Sequence, residues 1–187
     1  MRATRFGVMA AVWSEHRGAP RVLRILLPGA RSSARQTVRR LYPDSTTASS
    51  AEIGALVDRI EAFLNGEDVR FPLDAVRLDL CSAFQRKVLR AEHAVPRGRV
   101  TTYGLLARKL GDANAARAVG HALATNPFPI IVPCHRAIRS DGTLGGFQGG
   151  LKMKRALLEM EGVAFGDNGR VTDQLSLGSG QLPFGSR

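Results

Sequence analysis

Between Ser82 and Pro127 the chain carries start and stop signals for three short helices in close succession, which commits this stretch to a compact helical unit. Ser82 followed by Gln85 resembles a capping box and opens a helix through Phe84, Val88 and Leu89. That helix must stop before Pro96, whose ring cannot continue an interior turn. Thr102 caps a second helix, YGLLARKL; the turn GDAN follows, and a third helix, AARAVGHALAT, runs to Asn126 with Pro127 behind it. Two short helices joined by a tight glycine-containing turn predict a helix-turn-helix.

The flanks read differently. FGVMAAVW and RVLRILL are extended runs separated by polar residues from His16 to Pro20, the pattern of a hairpin. A loop with a short helix around SARQTVRRLY follows, then an amphipathic helix in which Ile53, Leu56, Val57, Ile60 and Phe63 recur at helical spacing. Ser49 and Glu52 fit a capping box at its start, and Gly66 ends it. Pro72 and several acidic residues punctuate the next segment, which places a boundary at residue 79 between an N-terminal unit, 1–79, and a second unit, 80–165. Within that second unit the apolar run PIIVP leads into Cys134, the glycine-rich loop DGTLGGFQGG follows, and a last helix covers LKMKRALLEME. Residues 166–187 lose periodicity and gain Gly and Ser, as a mobile tail would.

Charge follows the same division. The chain has a formal net charge of +11 over 187 residues. Residues 81–160 hold 13 Lys/Arg against 4 Asp/Glu, whereas residues 1–80 hold 12 against 9. The excess therefore lies on the helical unit, and a polyanionic partner, nucleic acid before acidic membrane, is the first implication. Two cysteines, Cys81 and Cys134, lack the spacing of zinc ligands or of a redox pair, so neither a metal nor a disulfide framework is expected. With no apolar run of membrane-spanning length and no signal-peptide pattern, the expectation is a soluble, cytoplasmic protein with reduced thiols and no membrane partner.

Cys134 stands in Pro-Cys-His-Arg. A thiol is a strong nucleophile only as thiolate, and here His135 offers a base, Arg136 a positive charge and Pro133 a fixed entry to a turn. Adjacent side chains of a strand point to opposite faces, so His135 can serve Cys134 only if the backbone turns or a water bridges them.

VPCHRAIRSDGTLGGFQGGLKMKRALLEMEG, with the upstream AARAVGHALATNPFPI, closely resembles the active-site segment of the O6-alkylguanine-DNA alkyltransferases, over roughly residues 82–163. The resemblance implies an α/β (α+β) fold. A small mixed N-terminal domain would precede a mainly helical domain with a winged-helix-like helix-turn-helix and the cysteine loop. It implies that Cys134 accepts an alkyl group from O6 of guanine in one irreversible turnover, without a cofactor. His135 would activate the thiol through a water and Glu161 would orient His135. Tyr103 would bond the departing guanine, and Asn126 would join the helix-turn-helix to the cysteine loop. Arg117 would enter the duplex in place of the flipped nucleotide, with Ala116, Thr102 and Arg136 as further DNA contacts in the minor groove. Pro129, the backbone from Cys134 to Ala137, Phe147 and Gln148 would wall the pocket. Phe147 stands where a tyrosine is common and Gln148 where a serine often sits, which touches the range of alkyl groups accepted. The expected partner is double-stranded DNA carrying the lesion, bound by a monomer. Three other readings compete: a lesion-binding relative that does not repair, a cysteine hydrolase built on Cys134 and His135, and a sequence-specific DNA-binding regulator.

Overall fold

The computed structural model describes residues 1–29 and 33–172. The two extended runs form an antiparallel hairpin of β2, Gly7–His16, and β3, Ala19–Leu26. Arg17 and Gly18 make its turn with φ of +53° and +76°, the left-handed pair that a two-residue hairpin with matching twist requires. A short strand that the sequence did not signal, β1, Arg2–Thr4, pairs with the start of β2 and gives the sheet order β1-β2-β3. Between the pairs Val12–Arg24 and Trp13–Val22, β3 holds one residue more than β2, so Leu23 is a bulge. A bulge changes which residues turn their backbone groups to the outer edge.

Helix α1, Ala34–Leu41, starts in a complete capping box: Ser33 Oγ accepts from Gln36 N, and Gln36 Oε1 accepts from Ser33 N. Helix α2, Ala51–Leu64, lays Ile53, Leu56, Ile60, Phe63 and Leu64 into the core. Its cap is Ser50 rather than Ser49, because Ser50 Oγ accepts from Ile53 N at 3.4 Å and donates to Glu52 at 2.6 Å. Two short 3-10 turns, Leu73–Ala75 and Leu78–Leu80, lead into the helical part of the chain.

Helix α3, Ala83–His93, is capped by Ser82, which accepts from Gln85 N. The expected box is only half made: Gln85 Nε2 donates to Ala122 O and Thr125 Oγ1 instead of returning to the cap, fastening α3 to the end of the helix Ala116–Ala124. Strand β4, Thr101–Thr102, leads into α4, Tyr103–Lys109, which Thr102 caps through Leu105 N. Gly111, at φ +91°, turns the chain. A 3-10 turn, Ala113–Ala115, opens α5, Ala116–Ala124, which packs on α4 as a helix-turn-helix. Strand β5, Ala137–Ile138, lies parallel to β4, and α6, Gly150–Met160, closes the unit.

Met9, Val22, Ile25, Ile60 and Phe63 of the N-terminal unit share one contiguous apolar cluster with Val88, Leu106, Val119 and Leu157 of the second. The sheet and α2 therefore brace the helical unit through a common core, and burial of this kind is the dominant favourable contribution to folding. Of the stretch expected as a tail, Val171 is buried with Val100, Ile138, Leu158 and Val163, while residues 173–187 lie outside the described residues. Among the described residues no helix is long and apolar enough to cross a membrane.

Candidate active site

Asn126, just beyond α5, turns the chain into the apolar run. Its Oδ1 accepts from Phe128 N at 2.9 Å and its Nδ2 donates to Val132 O at 3.1 Å, so one buried amide holds both ends of residues 128–132. Asparagine suits this role because its side chain can satisfy backbone donors and acceptors that a tight turn leaves unpaired. Ile130 sits within this segment at φ +75°, an uncommon conformation for a branched residue. The run ends in a 3-10 turn, Cys134–Arg136. The turn resolves the problem of adjacent side chains, since successive residues of a 3-10 helix diverge by a third of a turn instead of facing opposite ways.

Cys134 is buried, and burial pushes its thiol up to about 11 despite a hydrogen bond with the Asn126 side chain that lowers it. Such a sulfur is a thiol at neutral pH and needs a base to react. His135 is fully buried beside it, and burial outweighs its carboxylate partner and lowers its pKa, so the ring is neutral near pH 7. His135 Nε2 lies 3.0 Å from Glu161 Oε1. A carboxylate only accepts, so Nε2 carries the hydrogen and Nδ1 presents a free lone pair. Nδ1 is buried and has no partner among the described residues.

Glu161 caps the C-terminus of α6. Burial acts to raise its pKa, but the hydrogen bonds and charges of His135 and Arg136 prevail and hold it down to about 2. Arg136 grips this carboxylate with Nε and Nη2 at 2.9 and 2.8 Å and gives Nη1 to Val95 O at 2.6 Å. The expected DNA contact from Arg136 is therefore corrected: the guanidinium is buried and engaged inside the molecule. Thr102 is corrected likewise, because it is buried and its hydroxyl serves as the cap of α4. Arg117 lies exposed in the first turn of α5 with Ala116 half-buried beside it, the only two of the four expected DNA-contact residues left at the surface.

Cys134 opens into a cavity of about 210 Å³, whose walls include Tyr103, Asn126, Pro129, Phe147 and Gln148. Ala137 does not line it; that side chain is fully buried, and its carbonyl accepts from Lys154. Tyr103 reaches Gly145, where a Cβ would stand 2.5 Å from the phenolic oxygen, and Gly145 holds φ +66°. Only glycine fits both demands. A larger cleft of about 540 Å³ meets the relay from behind, through Pro133 and Arg136, and holds no cysteine.

Two buried charges were not anticipated. Lys154 Nζ donates to Ala137 O at 2.6 Å and reaches Gly146 O at 3.4 Å, tying the cysteine turn to the pocket loop. Burial lowers its pKa to about 8. Glu92 of α3 is fully buried with neither carboxylate oxygen hydrogen-bonded by any described residue, and burial raises it to about 8 against the pull of Lys154 and Arg136. Both lie on apolar helix faces, Glu92 in step with Val88 and Leu89, Lys154 with Leu157 and Leu158. A charge on an apolar stripe was the signal available in the sequence.

Residues 83–163 match the family model described as 6-O-methylguanine DNA methyltransferase, DNA binding domain. A methylated-DNA–protein-cysteine methyltransferase of Methanothermobacter thermautotrophicus is 46% identical over 112 residues, 60% of this chain and 62% of that protein. That of Mycobacterium leprae is 42% identical over 130 residues, 67% of this chain and 77% of its own length. The crystal structure of Mycobacterium tuberculosis OGT in complex with DNA superposes with a TM-score of 0.63 at 35% identity, covering 81% of this chain and 85% of that one.

Proposed function

The chain belongs to the 6-O-methylguanine DNA methyltransferase family, and from that premise we propose that it repairs DNA by moving an alkyl group from O6 of guanine to Cys134. The observation that carries the proposal is the pairing of a buried thiol with a neutral imidazole whose Nε2 is held by Glu161 and whose Nδ1 is open. The thiol proton passes through a water to Nδ1. The sulfur attacks the alkyl carbon, an S–C bond forms, and the C–O6 bond breaks with its electron pair leaving on the guanine. The proton held on the imidazole then returns through water to the departing base, so the products are a thioether, neutral His135 and neutral guanine. Burial raises the pKa of the Tyr103 hydroxyl, so it stays protonated and donates a hydrogen bond to the leaving ring. No group that the described residues place at the site cleaves a thioether, so each chain acts once.

O6 of a paired guanine lies on the major-groove edge of the duplex, whereas Cys134 is buried at a cavity, so the alkyl carbon can reach the sulfur only if the nucleotide leaves the duplex. The pocket beside Cys134 would receive the base, and α5 would enter the minor groove with Arg117 filling the gap. One chain supplies every group of the site, which supports a monomer as the working unit. The N-terminal unit, 1–79, then serves as a brace, and residues 80–165 carry chemistry and DNA contact.

Incubation with a duplex containing O6-methylguanine, followed by peptide mass analysis, tests the proposal. One methyl group is expected on the Cys134 peptide, in an amount equal to the protein. Cys134→Ser should show none while still binding the duplex. A wild-type protein that gains no methyl, or gains it elsewhere, removes the assignment. Arg117→Ala should slow repair of duplex by about tenfold or more while leaving reaction with free O6-benzylguanine nearly unchanged. Equal losses on both substrates would remove the insertion role.

A further inference from the structure

Ile25, in β3, and Leu27, the first residue beyond it, each donate outward to a segment that carries a wall of the pocket. Beyond the bulge at Leu23, the backbone groups of residues 25 and 27 face away from β2. Ile25 N donates to Pro127 O at 2.8 Å, and Leu27 N donates to the side-chain oxygen Oε1 of Gln148 at 2.7 Å. Pro127 belongs to the segment that carries Pro129, on one wall of the cavity, and Gln148 belongs to the loop that forms another. Two residues of a strand span about 6.7 Å, and a hydrogen-bonded strand does not stretch. The chain beyond β3 also passes close over the same loop: a Cβ at Gly29 would stand 3.4 Å from Gln148 O.

Resting on the function proposed above, we infer that β3 is a spacer for the alkyl pocket and that Gln148 is the strap that fastens the pocket loop to it. Gln148 thereby sets how large an alkyl group the pocket admits. The Pro127 side needs only a backbone carbonyl, but the loop side depends on a side chain long enough to reach the strand and able to accept a hydrogen bond. Gly145, Gly146, Gly149 and Gly150 surround Phe147 and Gln148, so the loop has little stiffness of its own. The neighbouring Phe147 ring packs edge-on against His135 with centroids 6.1 Å apart, so the strap also steadies a wall of the relay. Gln148 is a positioning residue here, since it acts on pocket width through the loop.

The test compares Gln148→Met, which keeps the length and removes the acceptor, with Gln148→Glu, which retains an oxygen for Leu27 N–H. Single-turnover rates are measured on two duplexes that differ only in carrying O6-methylguanine or O6-benzylguanine. Gln148→Met should raise the benzyl-to-methyl rate ratio by about tenfold, within the range by which pocket fit discriminates alkyl size. Gln148→Glu should keep the wild-type ratio. Amide hydrogen exchange supplies a readout that does not depend on activity: in Gln148→Met the Leu27 amide loses protection while the Ile25 amide keeps it. Unchanged protection at Leu27 would overturn the strap. Lost protection with a ratio within twofold of wild type would overturn its role in specificity. If the wild type transfers neither group, the repair reading falls, and the strap is then judged by exchange together with the relative affinity of wild type and Gln148→Met for the two duplexes.

Discussion

Two buried groups of charges border Cys134, and they are built on opposite terms. In the His135–Glu161–Arg136 group both carboxylate oxygens are hydrogen-bonded, and the carboxyl is held down to about 2. In the Glu92–Lys154 group the carboxylate has no hydrogen bond, and its pKa is raised to about 8. The depth of burial is alike; what differs is the supply of donors. A buried carboxylate that receives several hydrogen bonds stays charged and fixes its neighbours, whereas one without them keeps its proton. The first group is therefore a rigid element of the relay, and the second titrates inside the physiological range.

The largest expected effect comes from breaking the satisfied group. In Glu161→Gln an amide faces both His135 Nε2 and the Arg136 guanidinium, so the guanidinium loses its counter-charge and the imidazole its fixed tautomer. Loss of one partner of a buried pair costs about 3 kcal/mol, read as a lower midpoint in urea. Loss of the tautomer should slow alkyl transfer by about 10²–10⁴-fold. The wild type should also lose stability as pH falls from 4.5 toward 2, because the unfolded Glu161 takes up a proton before the folded one does. His135, whose pKa is lowered in the folded chain, adds to that loss below pH 6.5. Glu161→Gln should lack the first of these limbs. A variant with wild-type rate and stability would end the contrast between the two groups.

The same contrast explains what could be read from the chain. The hairpin, the amphipathic helix α2 and the helix-turn-helix follow from local patterns of period and capping; Cys134 and His135 stand out in the Pro-Cys-His-Arg context, and Glu161 is legible only through the resemblance to the alkyltransferase active-site segment. Arg136 was misplaced because an arginine beside a nucleophile in a basic stretch looks like a phosphate contact. Only the fold shows that the end of α6 brings Glu161 to it and that Val95 O takes a third one of its N–H donors. Thr102 is read correctly as a cap, and its burial, more than the one lone pair that the cap uses, keeps its hydroxyl from DNA. The half-made capping box at Ser82 has a similar cause: Gln85 finds better partners on α5, which local sequence cannot reveal. The tie between Leu27 and Gln148 joins residues 121 apart and carries no local pattern at all.

A smaller effect, of opposite sign, should follow from relieving the unsatisfied group. Glu92→Met replaces an unbonded buried carboxyl by an apolar chain of similar size, and should stabilise the protein by about 1–2 kcal/mol near pH 7. The sign with pH is fixed by the raised pKa. Between pH 4.5 and 8 the unfolded chain has released the Glu92 proton while the folded chain retains it, so wild-type stability declines as pH rises through that window. The gain from Glu92→Met should accordingly grow from pH 5 to pH 8 in thermal melts. A gain that is flat with pH, or a loss at every pH, would mean that Glu92 is bonded in solution and that the two groups are alike.

The smallest effect isolates burial from charge. Arg155 and Glu159 of α6 form an ion pair one helical turn apart, with Nε to Oε1 at 2.8 Å, the same separation as Arg136 to Glu161. Both of its side chains are over 40% exposed, against 10% and 0% for Arg136 and Glu161. Water already solvates each exposed partner, so breaking the pair strands no charge, and Glu159→Gln should change stability by less than about 0.5 kcal/mol. Alkyl transfer should not change. If Glu159→Gln destabilised as much as Glu161→Gln, contact distance alone would set the strength of these pairs. The difference between the two buried groups would then have to come from something other than the number of hydrogen bonds each carboxylate receives.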